Sequence, residues 1–188
     1  MLTDMDQRSR PLLPSRWETA RLVIQDSTLE VVPQLHEIFT ACSYLGAWDP
    51  TFQIVPKEEI AGLVSKSLHP KNEGPIFRLQ GLFSKERGRS VGYFHLSHEA
   101  PQPGLAWISM FVVHPDFQGQ KFASEVVNGV STLFQGFGYS AIQLRVYLRN
   151  LRALRFWVSM GFRRIIAYEE DATRSYESLK LEKRLIES

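Results

Sequence analysis

The residues best suited to bind a charged ligand lie in one short segment, residues 112–123. An apolar run ending at Val113 predicts a strand, and an amphipathic helical pattern begins at Phe122, with Gly119 in the loop between them. Backbone N–H groups at a helix N-terminus, together with the helix dipole, favour a phosphate or pyrophosphate. Lys121 would add a positive charge. The segment predicts either a phosphate-binding loop or an ordinary strand-to-helix turn, because a single glycine is not specific.

A basic region follows at residues 141–164, which contain six arginines and no acidic residue. A solvated helix face usually mixes both signs of charge. The region therefore favours a polyanionic cofactor beside the loop. The alternative is a surface whose arginines are neutralised by acids from elsewhere, such as Glu169 and Glu170. The arginines are Arg145, Arg149, Arg152, Arg155, Arg163 and Arg164.

Length and composition place these segments in an ordinary globular protein. The chain has 188 residues, of which 44% are hydrophobic and 22% are charged. This length favours one domain. Residues 1–15 show no helical or strand period, so we predict a loose N-terminal tail at 1–15 and a single domain at 16–188.

Net charge and cysteine content exclude several classes of protein. Subtracting 20 acidic from 22 basic residues leaves +2, so bulk charge predicts neither a nucleic-acid nor a membrane partner. Cys42 is the single cysteine, which excludes a disulfide within the chain and a multi-cysteine metal site. The N-terminus lacks a signal-peptide pattern, and the longest apolar stretch, 107–113, is far too short to span a bilayer. We expect a cytoplasmic protein.

Hydrophobic periodicity and turn residues predict the order β-α-α-β-β-β-α-β-α-β-β, a mixed α/β sheet with helices on both faces. Predicted helices begin near Val32, at Pro56, at Phe122 and after the candidate N-cap Asn150. The predicted strands are 21–25, 76–84, 90–97, 105–113, 141–147, 162–168 and 176–183.

Three motifs resemble the GCN5-related N-acetyltransferases (GNAT). Residues 113–123 resemble their acetyl-CoA signature, Arg/Gln-x-x-Gly-x-Gly/Ala: Gln118, Phe122 and Ala123 fit it, and Lys121 stands at the central glycine position. The run Asn150-x-x-Ala153-x-x-x-Trp157-x-x-x-Gly161-Phe162 resembles the family's other cofactor motif, with tryptophan where tyrosine is usual. Residues 19–24 resemble the first strand of the branch that acetylates ribosomal-protein N-termini. The resemblance covers about residues 17–185.

This resemblance implies a GNAT-like, mostly antiparallel central sheet flanked by helices, with acetyl-CoA as co-substrate. The cofactor's pantetheine would add as a strand in a gap between neighbouring strands. The acceptor would be a primary amine of a protein N-terminus or small molecule, attacking directly in one ternary complex. The implied cofactor-binding residues are Phe111, Val112, Val113, Gln118, Gly119, Gln120, Lys121, Phe122, Ala123, Asn150, Ala153 and Trp157.

A base must deprotonate an ammonium acceptor, and the sequence leaves its identity open. Candidates are His95, Asp49, Glu99 or a water held by Ser109. His95 and His98 are three residues apart on a predicted strand and so point to opposite faces, and we predict no metal site. Trp48 and Phe52 are candidates for lining an acceptor pocket, or packed loop aromatics.

Two further functions remain open. The departures at Lys121 and Trp157 favour, as an alternative, a catalytically impaired acyl-CoA-binding regulatory module. The arginine-rich region allows a nucleic-acid-binding domain, which the small net charge disfavours. Tyr147 or Tyr168 would have to replace the usual tyrosine as proton donor. Cys42 lies on an apolar helical stripe, which predicts a structural role rather than a covalent one. The acceptor and the oligomeric state are not predicted.

Overall fold

The computed structural model describes residues 10–70, 74–171 and 176–186. Within them, eight strands form one sheet in the order β1-β2-β3-β4-β5-β6-β8-β7. The strands are β1 (Arg16–Glu18), β2 (Leu22–Asp26), β3 (Ile76–Ser84), β4 (Ser90–His98), β5 (Leu105–Val113), β6 (Ala141–Tyr147), β7 (Arg164–Asp171) and β8 (Tyr176–Arg184). The α-helices are α1 (Val32–Ala41), α2 (Lys57–Leu68), α3 (Phe122–Gly136) and α4 (Leu151–Ser159).

Neighbouring strands are antiparallel except β5 and β6, which are parallel. Helices α1 and α2 cover one face of the sheet, where Leu35 and Ile60 join a buried cluster with Tyr93. Helices α3 and α4 cover the other face, where Val126 and Trp157 belong to a second cluster. The predicted fold class, a mostly antiparallel mixed sheet with helices on both faces, is confirmed.

Strand β5 contains a bulge at Ser109. His95 on β4 pairs with Met110, and the next residue, Leu96, pairs with Ile108, so Ser109 is the extra residue. As a result Ile108 faces the α3/α4 core and Met110 faces the α1/α2 core. Pairing of β5 with β6 also ends here, at Ile108 and Leu144. Beyond this point the two parallel strands diverge.

The N-terminal segment departs from the prediction. Leu13 is only 1% exposed, its carbonyl accepts a hydrogen bond from the Arg78 guanidinium at 2.9 Å, and the Ser15 carbonyl accepts one from Asp26 N–H at 2.8 Å. The prediction of a loose tail is therefore wrong for residues 10–15, while residues 1–9 lie outside the described residues. The adjoining strand β1 was also not predicted, because three residues show no period.

The C-terminal hairpin is longer than its apolar pattern indicates. Strand β7 continues past the predicted end at Tyr168 to Asp171, since Glu169 and Glu170 pair with Ser178 and Glu177 of β8. Backbone pairing, which does not depend on hydrophobicity, extends the strand. Among the described residues, no helix is both long and apolar enough to cross a membrane.

Candidate active site

A cleft of about 500 Å³ opens where β5 and β6 diverge. One wall is β5 from Trp107 to Phe111, with Val113 at its end, and the other is the end of β6 with the start of α4. The loop before α3 and the segment after α1 close its sides. The lining residues from these two closing segments are Tyr44, Leu45, Asp49, Phe52, Phe117, Gln118, Gly119, Lys121, Phe122, Ala123 and Ser124.

The β5 wall presents a free backbone edge to this cleft. The N–H of His114, directly after β5, donates to the carbonyl of Val91 in β4 at 2.9 Å. Backbone groups of successive strand residues point alternately to the two sides of the strand. Val112 therefore also pairs toward β4, whereas Phe111 and Val113 direct their N–H and C=O groups toward the cleft. Of the three β5 residues expected to pair with the cofactor, Val112 does not meet this geometry, and its side chain is buried in the α1/α2 core.

The Val113 carbonyl joins three segments of the chain. It accepts a hydrogen bond from Gln118 Nε2 at 2.8 Å and one from Cys42 Sγ at 3.4 Å. The hydroxyl of Tyr44 in turn donates to Gln118 Oε1 at 3.2 Å. The side chain of Gln118 thus fixes the shape of the loop, which leaves the loop's backbone, rather than this amide, to face a ligand.

The loop before α3 uses left-handed backbone at two residues. Gly119 has φ of +77° and Lys121 has φ of +65°. Lys121 directly precedes α3, whose first residues Phe122 and Ala123 line the cleft. The left-handed conformation explains why glycine suits the position of Lys121, since a side chain there costs on the order of 1 kcal/mol. The N-terminus of a 15-residue helix therefore faces the cleft.

Trp157 forms part of the cleft wall between the diverging strands. It is 8% exposed, and its ring meets Phe111 edge to face with centroids 6.1 Å apart. Phe156 and Phe162 pack against it at 4.9 and 5.1 Å. The indole thereby fixes the side chain of Phe111, the residue whose backbone faces the cleft.

The second motif has a structural explanation as well. Asn150 is buried, and its Oδ1 accepts a hydrogen bond from Ala153 N–H at 3.1 Å, which caps α4. Arg152, in the first turn of this helix, lines the cleft. The alternative interpretation of the basic region, neutralisation by acids from elsewhere, holds for two arginines, since Arg145 pairs with Glu169 and Arg164 pairs with Glu182. Arg149, Arg152, Arg155 and Arg163 form no ion pair with another described residue.

The structure separates the candidate bases. Asp49 and Ser109 line the cleft. His95 lies outside this lining: its ring packs 5.2 Å from that of Phe77, and burial lowers its pKa to about 4. Glu99 sits in the turn after β4, where it accepts a hydrogen bond from Gly104 N–H at 2.6 Å and pairs with Arg10. Because neither His95 nor Glu99 lines the cleft, neither can act there as the direct base.

The aromatic candidates divide in the same way. Phe52 lines the cleft and stacks on Phe39 at 5.7 Å, whereas Trp48 is 42% exposed and outside the lining. Tyr147 lines the cleft and meets Tyr176 edge to face. Tyr168 lies outside it and donates a hydrogen bond to Glu177. Of the two tyrosines named as candidate proton donors, Tyr147 therefore lines the cleft and Tyr168 does not.

A second cavity of about 410 Å³ adjoins the cleft, because Arg145 and Tyr147 line both. Its lining includes Glu169, whose carboxylate bridges Arg145 and Lys180. These partners lower the pKa of Glu169, with the Lys180 hydrogen bond as the largest cause. The remaining lining residues are Pro50, Glu170, Tyr176 and Ser178.

The site thus combines a parallel strand pair that splays at a bulge with a free backbone edge beside a helix N-terminus. The acetyltransferase (GNAT) family profile matches residues 32–162, and the chain belongs to this family. It is an acyl-CoA-dependent N-acetyltransferase that uses acetyl-CoA. No curated protein sequence matches the chain.

Solved structures share the fold at low sequence identity. A probable GNAT-family acetyltransferase from Chromobacterium violaceum has a TM-score of 0.78 at 13% identity, covering 98% of this chain and 94% of that one. An acetyltransferase from Bacillus anthracis has a TM-score of 0.72 at 16% identity, with 92% and 99% covered. The spermidine N-acetyltransferase of Vibrio cholerae, solved with CoA and spermine, has a TM-score of 0.70 at 14% identity, with 88% and 96% covered.

Proposed function

We propose that the chain transfers the acetyl group of acetyl-CoA to a primary amine by direct attack within one ternary complex. The observation that carries the proposal is the divergence of β5 from β6 at Ser109, which leaves the backbone of Phe111 and the N–H of Val113 facing the cleft. A pantetheine chain can pair with these groups as an added strand. The pyrophosphate would lie on the backbone N–H groups of residues 118–123, at the start of α3.

Direct attack follows from the nature of the groups around the cleft. Cys42 is the single thiol of the chain, and burial raises its pKa to about 11, so it is protonated at neutral pH and a poor nucleophile. Backbone N–H groups at the β5 edge would polarise the acetyl carbonyl as charge develops on its oxygen. The departing thiol has a pKa near ~8.5, by analogy with cysteine, so its thiolate leaves without a strong acid.

The amine must lose a proton before it attacks. Asp49 and a water at Ser109 are the two routes that the cleft lining supports. Asp49→Asn with a matched Ser109→Ala variant separates them. If Asp49 is the base, Asp49→Asn lowers kcat by about 10²–10⁴ and moves the acidic limb of the pH profile, while Ser109→Ala leaves that limb in place.

The acceptor would enter through the second cavity, which shares Arg145 and Tyr147 with the cleft. A small-molecule amine is supported by the acidic residues Glu169 and Glu170 in the lining of this cavity. A protein N-terminus is supported by the resemblance of residues 19–24 to the ribosomal-protein branch. Acceptors of both kinds belong in one panel, with spermidine and a short peptide bearing a free N-terminus as the first two.

The test measures CoA release with each amine, together with the mass gain of one acetyl group on the acceptor. Acetyl-CoA alone should raise the melting temperature, since a ligand at 100 times its Kd adds roughly 2.7 kcal/mol of stability. Absence of any shift at saturating acetyl-CoA would contradict the proposed cofactor site.

The second candidate function is an acyl-CoA-binding module with impaired catalysis. It is favoured by Trp157, which stands where the family usually has tyrosine and packs on Phe111. The same experiments separate the two candidates. Stabilisation by acetyl-CoA without CoA release across the amine panel would support the module and contradict the transferase.

A further inference from the structure

The two edges of the sheet differ in a way that bears on assembly. Strand β1 forms one edge with only three residues. Strand β7 forms the other edge with eight residues, among which Ile165 is 60% exposed and Tyr168 is 52% exposed. A long edge strand with exposed apolar side chains is a template for pairing with another chain.

The outer backbone groups of β7 can be assigned from the hairpin. Leu148 N–H donates to the Glu177 carbonyl, so Glu177 faces β6 and its neighbour Ser178 faces β7. Glu169, the partner of Ser178, therefore directs its backbone groups inward. By alternation, Tyr168 and Glu170 direct their N–H and C=O groups away from the sheet, where a further strand can accept and donate hydrogen bonds.

The charges along β7 are arranged to complement a reversed copy of the same strand. Arg163 directly precedes β7 and Arg164 begins it, whereas Glu169 and Glu170 lie near its end. Arg164 and Glu169 form ion pairs within the chain. Arg163 and Glu170 are exposed, and neither forms an ion pair with another described residue. A positive charge without an ion-pair partner among the described residues therefore lies at one end of the edge, and a negative one lies at the other.

We propose that two copies of this chain pair antiparallel through β7, about a two-fold axis near Ala167, which joins the two sheets into one. The axis places Arg163 beside Glu170 of the partner subunit, and the reciprocal contact forms at the other end. Ile165 and Tyr168 lie on one face of the sheet, because their β8 partners Leu181 and Leu179 do. The axis joins like faces of the two sheets, so Ile165 lies beside Tyr168 of the partner subunit, and the reciprocal contact also forms.

A second copy fits this edge better than an unrelated strand. An antiparallel copy of β7 brings its own Glu170 to Arg163 and its own Arg163 to Glu170, so the strand supplies both complementary charges itself. The pairing does not depend on the proposed acceptor. Pairing would nevertheless affect the entry of the acceptor, because Glu170 lines the second cavity and Arg163 of the partner subunit would lie at its rim.

Charge reversal tests the pairing in solution. The wild-type chain should sediment at twice its monomer mass of 21.6 kDa. Arg163→Glu alone and Glu170→Arg alone each place like charges in both contacts, and each should sediment as a monomer. An equimolar mixture of the two variants restores both contacts, and should sediment as a heterodimer.

Controls separate assembly from folding. Ile54→Lys, at a residue that is 77% exposed and far from β7 in sequence, should leave the dimer intact, whereas Ile165→Asp should dissociate it with an unchanged circular dichroism spectrum. A monomeric wild type at tens of micromolar would overturn the proposal. So would single variants that remain dimeric, or a mixture of the two that remains monomeric.

Discussion

The thiol of Cys42 lies 3.4 Å from the carbonyl oxygen of Val113, which ties the end of α1 to the free edge of β5. The thiol is fully buried, and burial raises its pKa to about 11. A cysteine next to the reacting region is thus a structural donor, because its neutral S–H is the form that bonds to the carbonyl.

Replacing this cysteine should leave chemistry intact. Cys42→Ala is expected to keep kcat within about threefold and to lower the free energy of unfolding by about 1 kcal/mol, since little apolar surface is lost. Burst kinetics and intact-mass analysis check for an acyl-enzyme. An acetylated Cys42 in the wild type, with no turnover in Cys42→Ala, would establish a covalent route instead.

The raised pKa of Cys42 also sets a direction for alkaline stability. The pKa of the thiol is about 11 in the folded chain and near 9 in the unfolded chain. The stability that the neutral thiol contributes is therefore fully present below pH 9 and is lost as pH rises through 11. We expect the difference in melting temperature between wild type and Cys42→Ala to shrink over that interval. A difference that stays constant from pH 8 to pH 11 would contradict the assignment.

Gly119 is the loop position where glycine is needed for its backbone. Its φ is +77°, and a Cβ added at this residue would meet no atom within 4 Å, so the cost of a side chain is conformational rather than steric. Gly119→Val should weaken acetyl-CoA binding about tenfold, whereas Gly119→Asn, which tolerates this conformation, should weaken it much less. Isothermal titration measures both. Equal affinities for the wild type and Gly119→Val would remove this loop from the cofactor site.

Lys121 stands in the same left-handed region with φ of +65°. Lys121→Gly relieves backbone strain and removes a positive charge, and these oppose each other at roughly 1 kcal/mol each. Acetyl-CoA affinity should therefore change by less than about tenfold, while the melting temperature rises. Lys121→Asn is the matched variant that keeps a side chain. A hundredfold loss of affinity would identify the Lys121 ammonium as a direct ligand of the phosphates.

Two buried histidines predict acid sensitivity. Desolvation lowers the pKa of His95 to about 4 and that of His98 to about 3. In the unfolded chain the pKa of each histidine is near 6.5. The stability that the two neutral imidazoles contribute is therefore present above pH 6.5, and about a few kcal/mol of it is lost as pH falls through 4 for His95 and 3 for His98. His95→Gln should flatten the fall in stability over this range, and His69→Gln at an exposed site should not. Parallel stability curves for all three proteins would contradict this origin.

The sequence predicts the fold where hydrophobic period and turn residues act locally. The start of α1 near Val32, the strand at 105–113 and the cap at Asn150 follow from these signals. The packing of Leu13 does not, because it depends on partners distant in sequence such as Arg78. The extension of β7 to Asp171 does not either, because backbone pairing with β8 carries the strand past its apolar residues.

The candidate site is predictable in part for the same reason. The loop at 118–123 has a local signal, whereas the bulge at Ser109 depends on a register with β4 that one strand cannot reveal. The bulge decides which β5 residues face the cleft, so the sequence could propose residues 111–113 together but not exclude Val112. Likewise the exclusion of His95 needs the burial of its ring against Phe77.

Trp157 tests how much the cleft depends on a hydroxyl at the position where related enzymes usually have tyrosine. The indole N–H is a donor only and does not release a proton near neutral pH, so Trp157 cannot act as a general acid. Its edge contact with Phe111, at 6.1 Å between centroids, gives it instead a role in positioning the β5 edge.

Three variants at this position therefore have distinct outcomes. Trp157→Phe should retain most of kcat, because the apolar contact is kept, and Trp157→Ala should cost about 3–5 kcal/mol of stability through the cavity it leaves. Trp157→Tyr should raise kcat if its hydroxyl reaches the sulfur of CoA, by up to the factor of roughly 10²–10⁴ that a general acid typically supplies. Steady-state kinetics with acetyl-CoA and the best amine measure all three. Loss of turnover in Trp157→Phe, with acetyl-CoA affinity unchanged, would show that the indole N–H itself takes part in catalysis.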